Sequence, residues 1–179
     1  MGATNGPAEE HPSAPVRGAG PASLEFDESA LGARDYVGSI VVTLEAIAKY
    51  CDAIGERNPL YADDEAARAG PHGGIVAPPM FLLRPRLERG RDPRVRIDGV
   101  LMPPDHVDLF GGQRLELRLP VRPGDTLRAY AQVKAVFEKT GRSGSMVFVV
   151  RRVDYLNQHE QDIASFEYAI IQRRGALWK

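Results

Sequence analysis

The sequence predicts an α+β fold, a curved antiparallel sheet wrapped around a helix. Two patterns carry this. Apolar residues at helical spacing come first, and long stretches alternating apolar with polar residues follow from Gln113 onward. A third observation joins them. A sheet with one apolar face needs a cover, and the apolar stretch at residues 78–90 can supply it.

Residues 1–23 are rich in Gly, Ala and Pro and show no apolar period, which predicts a disordered tail ahead of one domain over residues 24–179. Order should begin near Leu24 or Tyr36. "YVGSIVVT" from Tyr36 to Thr43 is rich in β-branched residues and reads as a strand. Thr43 can cap a helix with Glu45 in its first turn. Leu44, Ile47, Ala48, Cys51 and Ile54 then form one apolar face, and Gly55 is a natural stop. "ADDEAARAG" at residues 62–70 suits a short second helix. "APPMFLLRPRLERG" at residues 77–90 opens with prolines fit for a helix start, and Pro85 implies a kink or an early end.

In the second half, "QRLELRLP" alternates and stops at Pro120, and "RPGDT" is a turn. Leu127, Ala129, Ala131, Val133, Ala135 and Phe137 alternate with mostly polar residues, as in a half-buried strand. "EKTGRSGS" is a hairpin turn. "MVFVVRRVDYL" and "IASFEYAIIQRR", separated by "NQHEQD", complete a meander.

The 179 residues suit one domain with a substantial core. A formal net charge of -1 gives no global attraction to nucleic acid or an anionic membrane. The one cysteine, Cys51, excludes a disulfide framework, fits a reducing compartment and reads as a buried packing residue. No run approaches a membrane span of roughly 18 apolar residues, and no secretory signal is read. The expectation is a soluble, cytoplasmic protein.

"GERNPLYADDEAARAGPHGGIVAPPMF" together with "PVRPGDTLRAYAQVKAVFEKTGRSGSMVFVV" resembles the MaoC-like dehydratases of the hot-dog fold, in particular their N-terminal-type domain or separate small subunit. The likeness runs from about Tyr36 to Arg174. Its specificity lies in the order of G-x-x-N-P, A-P-P-x-F, R-P-G-D-T-L and K-T-G-R-S-G. It implies a single hot-dog domain that pairs with another, their sheets joined side by side. It also implies hydration or dehydration of acyl thioesters carried on coenzyme A or acyl carrier protein, without a metal or redox cofactor.

Catalytic members of that family read D-x-N-P-x-H, followed by a stretch like I-A-H-G-M. Aspartate and histidine hold one water and exchange its protons, while a glycine N–H at a helix start stabilises enolate charge. Matched residue by residue, the aspartate falls on Glu56 and the histidine on Tyr61, with Asn58 and Pro59 kept. Glutamate extends the carboxylate by one methylene, and a phenol near pKa 10 is poorly matched to general-base work. Pro78 and Pro79 stand where histidine and glycine belong, and proline has no N–H. The resemblance therefore implies a degenerate site at Glu56, Tyr61 and Pro79. It leaves Asn58, Pro59, His72, Pro78, Met80 and Phe81 as substrate-lining candidates and a catalytic hot-dog subunit as partner, in a heterodimer or a dimer of heterodimers. The alternatives are a homodimeric hydratase working through Glu56 and Tyr61, a hot-dog protein that binds acyl-CoA without turnover, and a purely structural partner.

Other features read more plainly. His72 sits in a loop, either at the surface or lining the pocket. Asp105 and His106 are adjacent in extended chain and ill placed to converge, and no H-x-H or H-x-x-x-H spacing suggests a metal. Six arginines between Arg84 and Arg96 form either a solvated helix end or a docking patch for coenzyme A phosphates or an acidic carrier. "KTGRSG" lacks phosphate-loop spacing and reads as a turn. Met80 to Leu83 are expected in the core of the central helix.

Overall fold

The structure, a computed structural model, describes residues 28–83, 106–141 and 144–174. Its strands are β1 (Asp35–Val41), β2 (His106–Leu117), β3 (Thr126–Gly141), β4 (Gly144–Leu156) and β5 (Asp162–Arg174), in one antiparallel sheet of order β1-β3-β4-β5-β2. The α-helices are α1 (Leu44–Ile54) and α2 (Asp64–Ala69), and 3-10 turns cover Glu28–Ala30, Pro59–Tyr61 and Pro79–Leu83. The tail through Ser23 and the arginine-rich stretch 84–96 lie outside the described residues.

The meander β3–β4–β5 follows from its turns. β3 and β4 pair as far as Gly141 and Gly144, so most of the stretch expected as a turn, residues 138–141 and 144–145, is strand. At the next turn the Asn157 side-chain oxygen accepts the N–H groups of His159 and Gln161, each at 3.0 Å. Leu127, Ala129, Ala131, Val133, Val149 and Val153 are fully buried on the inner face. They share one apolar cluster with Ile47 and Cys51 of α1 and with Phe81 and Leu82 of the last 3-10 turn. Burying one such large side chain contributes about 1.5–3 kcal/mol. The buried Tyr155 hydroxyl donates to the Leu82 carbonyl at 3.1 Å, fastening that turn to β4. The outer face carries charge instead. Lys134 pairs with Glu167, Arg152 with Asp154, and Arg118 reaches both Glu116 and Asp162.

β2 begins at His106, ahead of the Gln113 at which the strands were expected to start, and four further details differ from the expectations. First, β3 does not alternate throughout. Its register against β4 shifts between Val133 and Ala135, so Val136 turns inward while Phe137 stacks on Phe148 with ring centroids 5.0 Å apart. The extra residue of a β-bulge reverses the phase of everything after it. Second, the covering stripe of α1 is rotated. Ile47 and Cys51 are buried and Ala46 and Tyr50 flank them, while Leu44 and Ile54 are 56% and 55% exposed. Third, residues 79–83 form a 3-10 turn, and the rest of the expected central helix lies outside the described residues. Fourth, three residues per turn place Phe81 and Leu82 inward and leave Met80 39% exposed, outside the core expected for it. Among the described residues no helix is long and apolar enough to cross a membrane.

Candidate functional site

The candidate site begins where α1 ends. Thr43 caps the start of the helix through Ala46 N–H at 3.0 Å. At the other end Gly55 adopts φ 70, in the left-handed region. Gly55 N–H reaches the Asp52 carbonyl at 3.3 Å and Glu56 N–H the Cys51 carbonyl at 2.9 Å. These two bonds make a Schellman motif, which turns the chain sharply out of the helix.

The next two polar side chains bond to the chain's own backbone. Glu56 Oε1 accepts the N–H groups of both Arg57 and Asn58 at 2.8 Å. Asn58 Oδ1 accepts Leu60 N–H at 3.1 Å and caps the 3-10 turn Pro59–Tyr61. Pro59 suits its place because a first helical residue has no intrahelical use for an N–H. The Tyr61 ring is half-buried against the core. Asp63 caps α2 through Ala66 N–H at 2.9 Å. Gly70 closes this unit, because a Cβ there would lie 2.5 Å from Leu60 Cδ2 and 3.3 Å from the Ala66 and Ala67 carbonyl oxygens.

The chain then passes through Pro71–Gly74, with Gly73 at φ 66 and Gly74 at φ 157. His72 is exposed, and its carbonyl accepts Arg122 Nη2 at 2.6 Å. Ala77 N–H donates to the Val121 carbonyl at 2.8 Å. Pro78 is buried and Pro79 exposed.

Tyr61 and Phe81 thus meet in one apolar cluster, while Glu56 and Asn58 hold their own turn and His72 is tied to the loop before β3. No hydrogen bond among the described residues joins the Glu56 side chain to Tyr61 or His72. Asp105 lies outside the described residues, and His106 opens β2. Among the described residues no group of three or more His, Cys, Asp or Glu side chains could hold a metal ion.

Two residues here were not singled out in the sequence. Tyr50 of α1 meets Phe81 edge to face, with centroids 5.6 Å apart. Burial raises its phenol pKa, and the neighbouring Cys51 adds to the rise. Its place three residues after Ile47 on the apolar stripe was the available signal. Arg122 stood inside the quoted R-P-G-D-T-L, but its reach across fifty residues has no local signature. The Cys51 thiol is also held above its usual pKa, mainly by burial and then by the Glu56 and Asp52 charges.

Residues 29–166 match the family model described as FAS1-like, dehydratase domain region. A UPF0336 protein of Streptomyces griseus is 34% identical over 124 residues, 66% of this chain and 78% of the relative. The 3-oxo-4,17-pregnadiene-20-carboxyl-CoA hydratase alpha subunit of Mycobacterium tuberculosis is 41% identical over 69 residues, 38% of this chain and 19% of that protein. Among solved structures, the MaoC-like dehydratase of Rhodospirillum rubrum superposes with TM-score 0.62 at 24% identity, over 86% of this chain and 99% of its own. The ChsH1-ChsH2 complex of M. tuberculosis gives TM-score 0.62 at 22% identity, over 81% and 85%. The fold is the hot dog expected from the resemblance, and the chain belongs to the family described as FAS1-like, dehydratase domain region.

Proposed function

We propose that this chain is the non-catalytic subunit of a heteromeric (R)-specific enoyl-thioester hydratase or 3-hydroxyacyl-thioester dehydratase. It shapes the acyl pocket, and a partner hot-dog subunit supplies the aspartate and histidine that move the protons of water. One observation carries the reading. The carboxylate at the catalytic aspartate position accepts two backbone N–H groups of its own turn, and so serves as a cap. Two further points support it. Pro79 offers no N–H to a thioester oxygen, and the similar mycobacterial hydratase chain is itself a subunit. The acyl group travels on coenzyme A or a carrier protein, the exposed Asn58, Pro59, His72 and Met80 face its path, and the buried Pro78 and Phe81 hold the segment that carries Met80. The domain spans residues 24–179 after a tail, and the lone buried Cys51 suits the cytoplasm.

The test is reconstitution. The chain is assayed alone and with a partner carrying D-x-N-P-x-H, using crotonyl-CoA and a longer enoyl-CoA. Turnover is expected only from the mixture. Glu56→Gln is the informative variant, because glutamine keeps an oxygen for both N–H groups and loses only the charge. Robust turnover by the chain alone, abolished by Glu56→Gln, would replace this reading with a homodimeric hydratase.

A further inference from the structure

The turn Arg122–Thr126 ties together segments far apart in sequence. Its backbone bonds twice to the junction of β1 and α1, through Gly124 N–H to the Val42 carbonyl and Val42 N–H to the Asp125 carbonyl, both at 2.8 Å. Thr126 N–H donates to Gln158 Oε1 at 3.0 Å, binding the turn to the β4–β5 connection. Val121 and Arg122 hold the third segment, which leads to Pro78 and Pro79. The Val121 carbonyl takes Ala77 N–H, and Arg122 Nη2 donates to the His72 carbonyl.

Arg122 is itself held in place. Its N–H donates to Asp125 Oδ2 at 2.7 Å, and its carbonyl accepts Asp125 N–H at 3.1 Å. Its Nη1 stands 3.7 Å from where a Gly74 Cβ would lie, in ordinary contact across the glycine turn. The turn it grips has one backbone hydrogen bond of its own, Gly73 N–H to the Gly70 carbonyl at 3.2 Å, and Gly73 and Gly74 both use backbone conformations that glycine adopts most freely. A forked cation reaching a carbonyl from a fixed turn is a suitable restraint for such a segment.

We propose that Arg122 is a positioning residue. Its guanidinium clamps Pro71–Gly74 in the orientation from which Val76–Pro79 enters the candidate site, and substrate affinity depends on that clamp. The inference deepens the subunit reading and rests on it for its kinetic part. Arg122 touches no reacting atom, so its loss should weaken substrate binding and leave the chemical step alone. A residue that merely stabilises the fold would instead lower melting temperature and the yield of active complex, without separating KM from kcat.

The experiment compares wild type, Arg122→Met and Arg122→Lys in the full chain. Methionine keeps an unbranched stem and removes the donors, and lysine keeps a charge and a single donor nitrogen without the fork. Amide hydrogen exchange at residues 72–77 should quicken about tenfold in Arg122→Met and recover part of the way in Arg122→Lys. With the catalytic partner and crotonyl-CoA, KM should rise about tenfold in Arg122→Met with kcat within about twofold of wild type, and Arg122→Lys should fall between. Unchanged exchange overturns the clamp. Faster exchange with unchanged KM overturns its bearing on substrate, as does a loss confined to kcat. Should Arg122→Met fail to fold, Arg122→Lys answers both questions alone. If the wild-type mixture turns over no thioester, the hydratase reading fails, and exchange still decides whether Arg122 holds the loop.

Discussion

The inner face of the sheet and the segment from Glu56 to Pro79 are held by different forces. On the inner face, apolar side chains from every strand meet Phe81, Leu82, Ile47 and Cys51 in one cluster, and the buried Tyr155 hydroxyl is bonded to the Leu82 carbonyl. Along Glu56–Pro79, short polar side chains bond to the nearest N–H groups and glycines allow the bends. Burial is additive and forgiving of order. A capped turn needs particular residue types at particular places. Glu56 illustrates this: its carboxylate accepts the N–H groups of Arg57 and Asn58 and so holds the turn.

The largest effect is expected on the inner face. Phe81 is fully buried, touches Tyr50 and sits in a turn fastened to β4. Phe81→Ala should lower stability by about 3–5 kcal/mol through lost burial and a residual cavity, read from urea unfolding. A cost below about 1 kcal/mol would show that the turn does not pack on the sheet as described.

The next experiment separates the two kinds of region. Glu56→Ala removes the acceptor from two N–H groups and should cost about 1 kcal/mol, as loss of a helix cap does. Glu56→Gln should cost a few tenths at most. Equal losses from both variants would mean that charge, and not capping, is what the position provides. Asn58→Ala should resemble Glu56→Ala, since it frees Leu60 N–H.

Much of this was legible in the sequence. Thr43 stands at a helix start and Gly55 at a helix end, as read from a few residues of local chemistry, whereas the caps Asn58 and Asp63 emerged only from the structure. β2 was legible only from Gln113 although it begins at His106, and β3 was legible from alternation until Val133. Beyond it the bulge reversed the phase, because nothing in "VKAVF" marks which residue is left unpaired. Helix α1 was placed correctly but only Ile47 and Cys51 of its expected stripe are buried, since a stripe of apolar residues wider than the contact leaves open which part faces inward. The residue types at Glu56, Tyr61, Pro78 and Pro79, and their departure from the motif of the resembled family, could be read from the sequence alone. The occupation of Glu56 by Arg57 and Asn58 N–H, and the reach of Arg122 to His72, are properties of the folded backbone.

The smallest predicted effect lies where the two regions touch. Cys51 belongs to the buried cluster, yet its carbonyl receives the Glu56 N–H that starts the site turn. Burial first, and then the charges of Glu56 and Asp52, hold its thiol pKa above the usual value. An unfolded thiol titrates near pH 8.5, so the folded chain keeps this proton after the unfolded chain has lost it. The contribution to stability is therefore fully present below about pH 8.5 and is lost as pH rises through the folded pKa. Two measurements follow. Alkylation by iodoacetamide at pH 8.5 should be slow in the native protein and fast in urea, since thiolate and access are both needed. Cys51→Ser should flatten the decline in stability above pH 8.5, at the cost of placing a hydroxyl in an apolar site. Rapid native alkylation would mean that the end of α1 opens readily, and the site turn that depends on the Cys51 carbonyl would then be the less stable of the two regions.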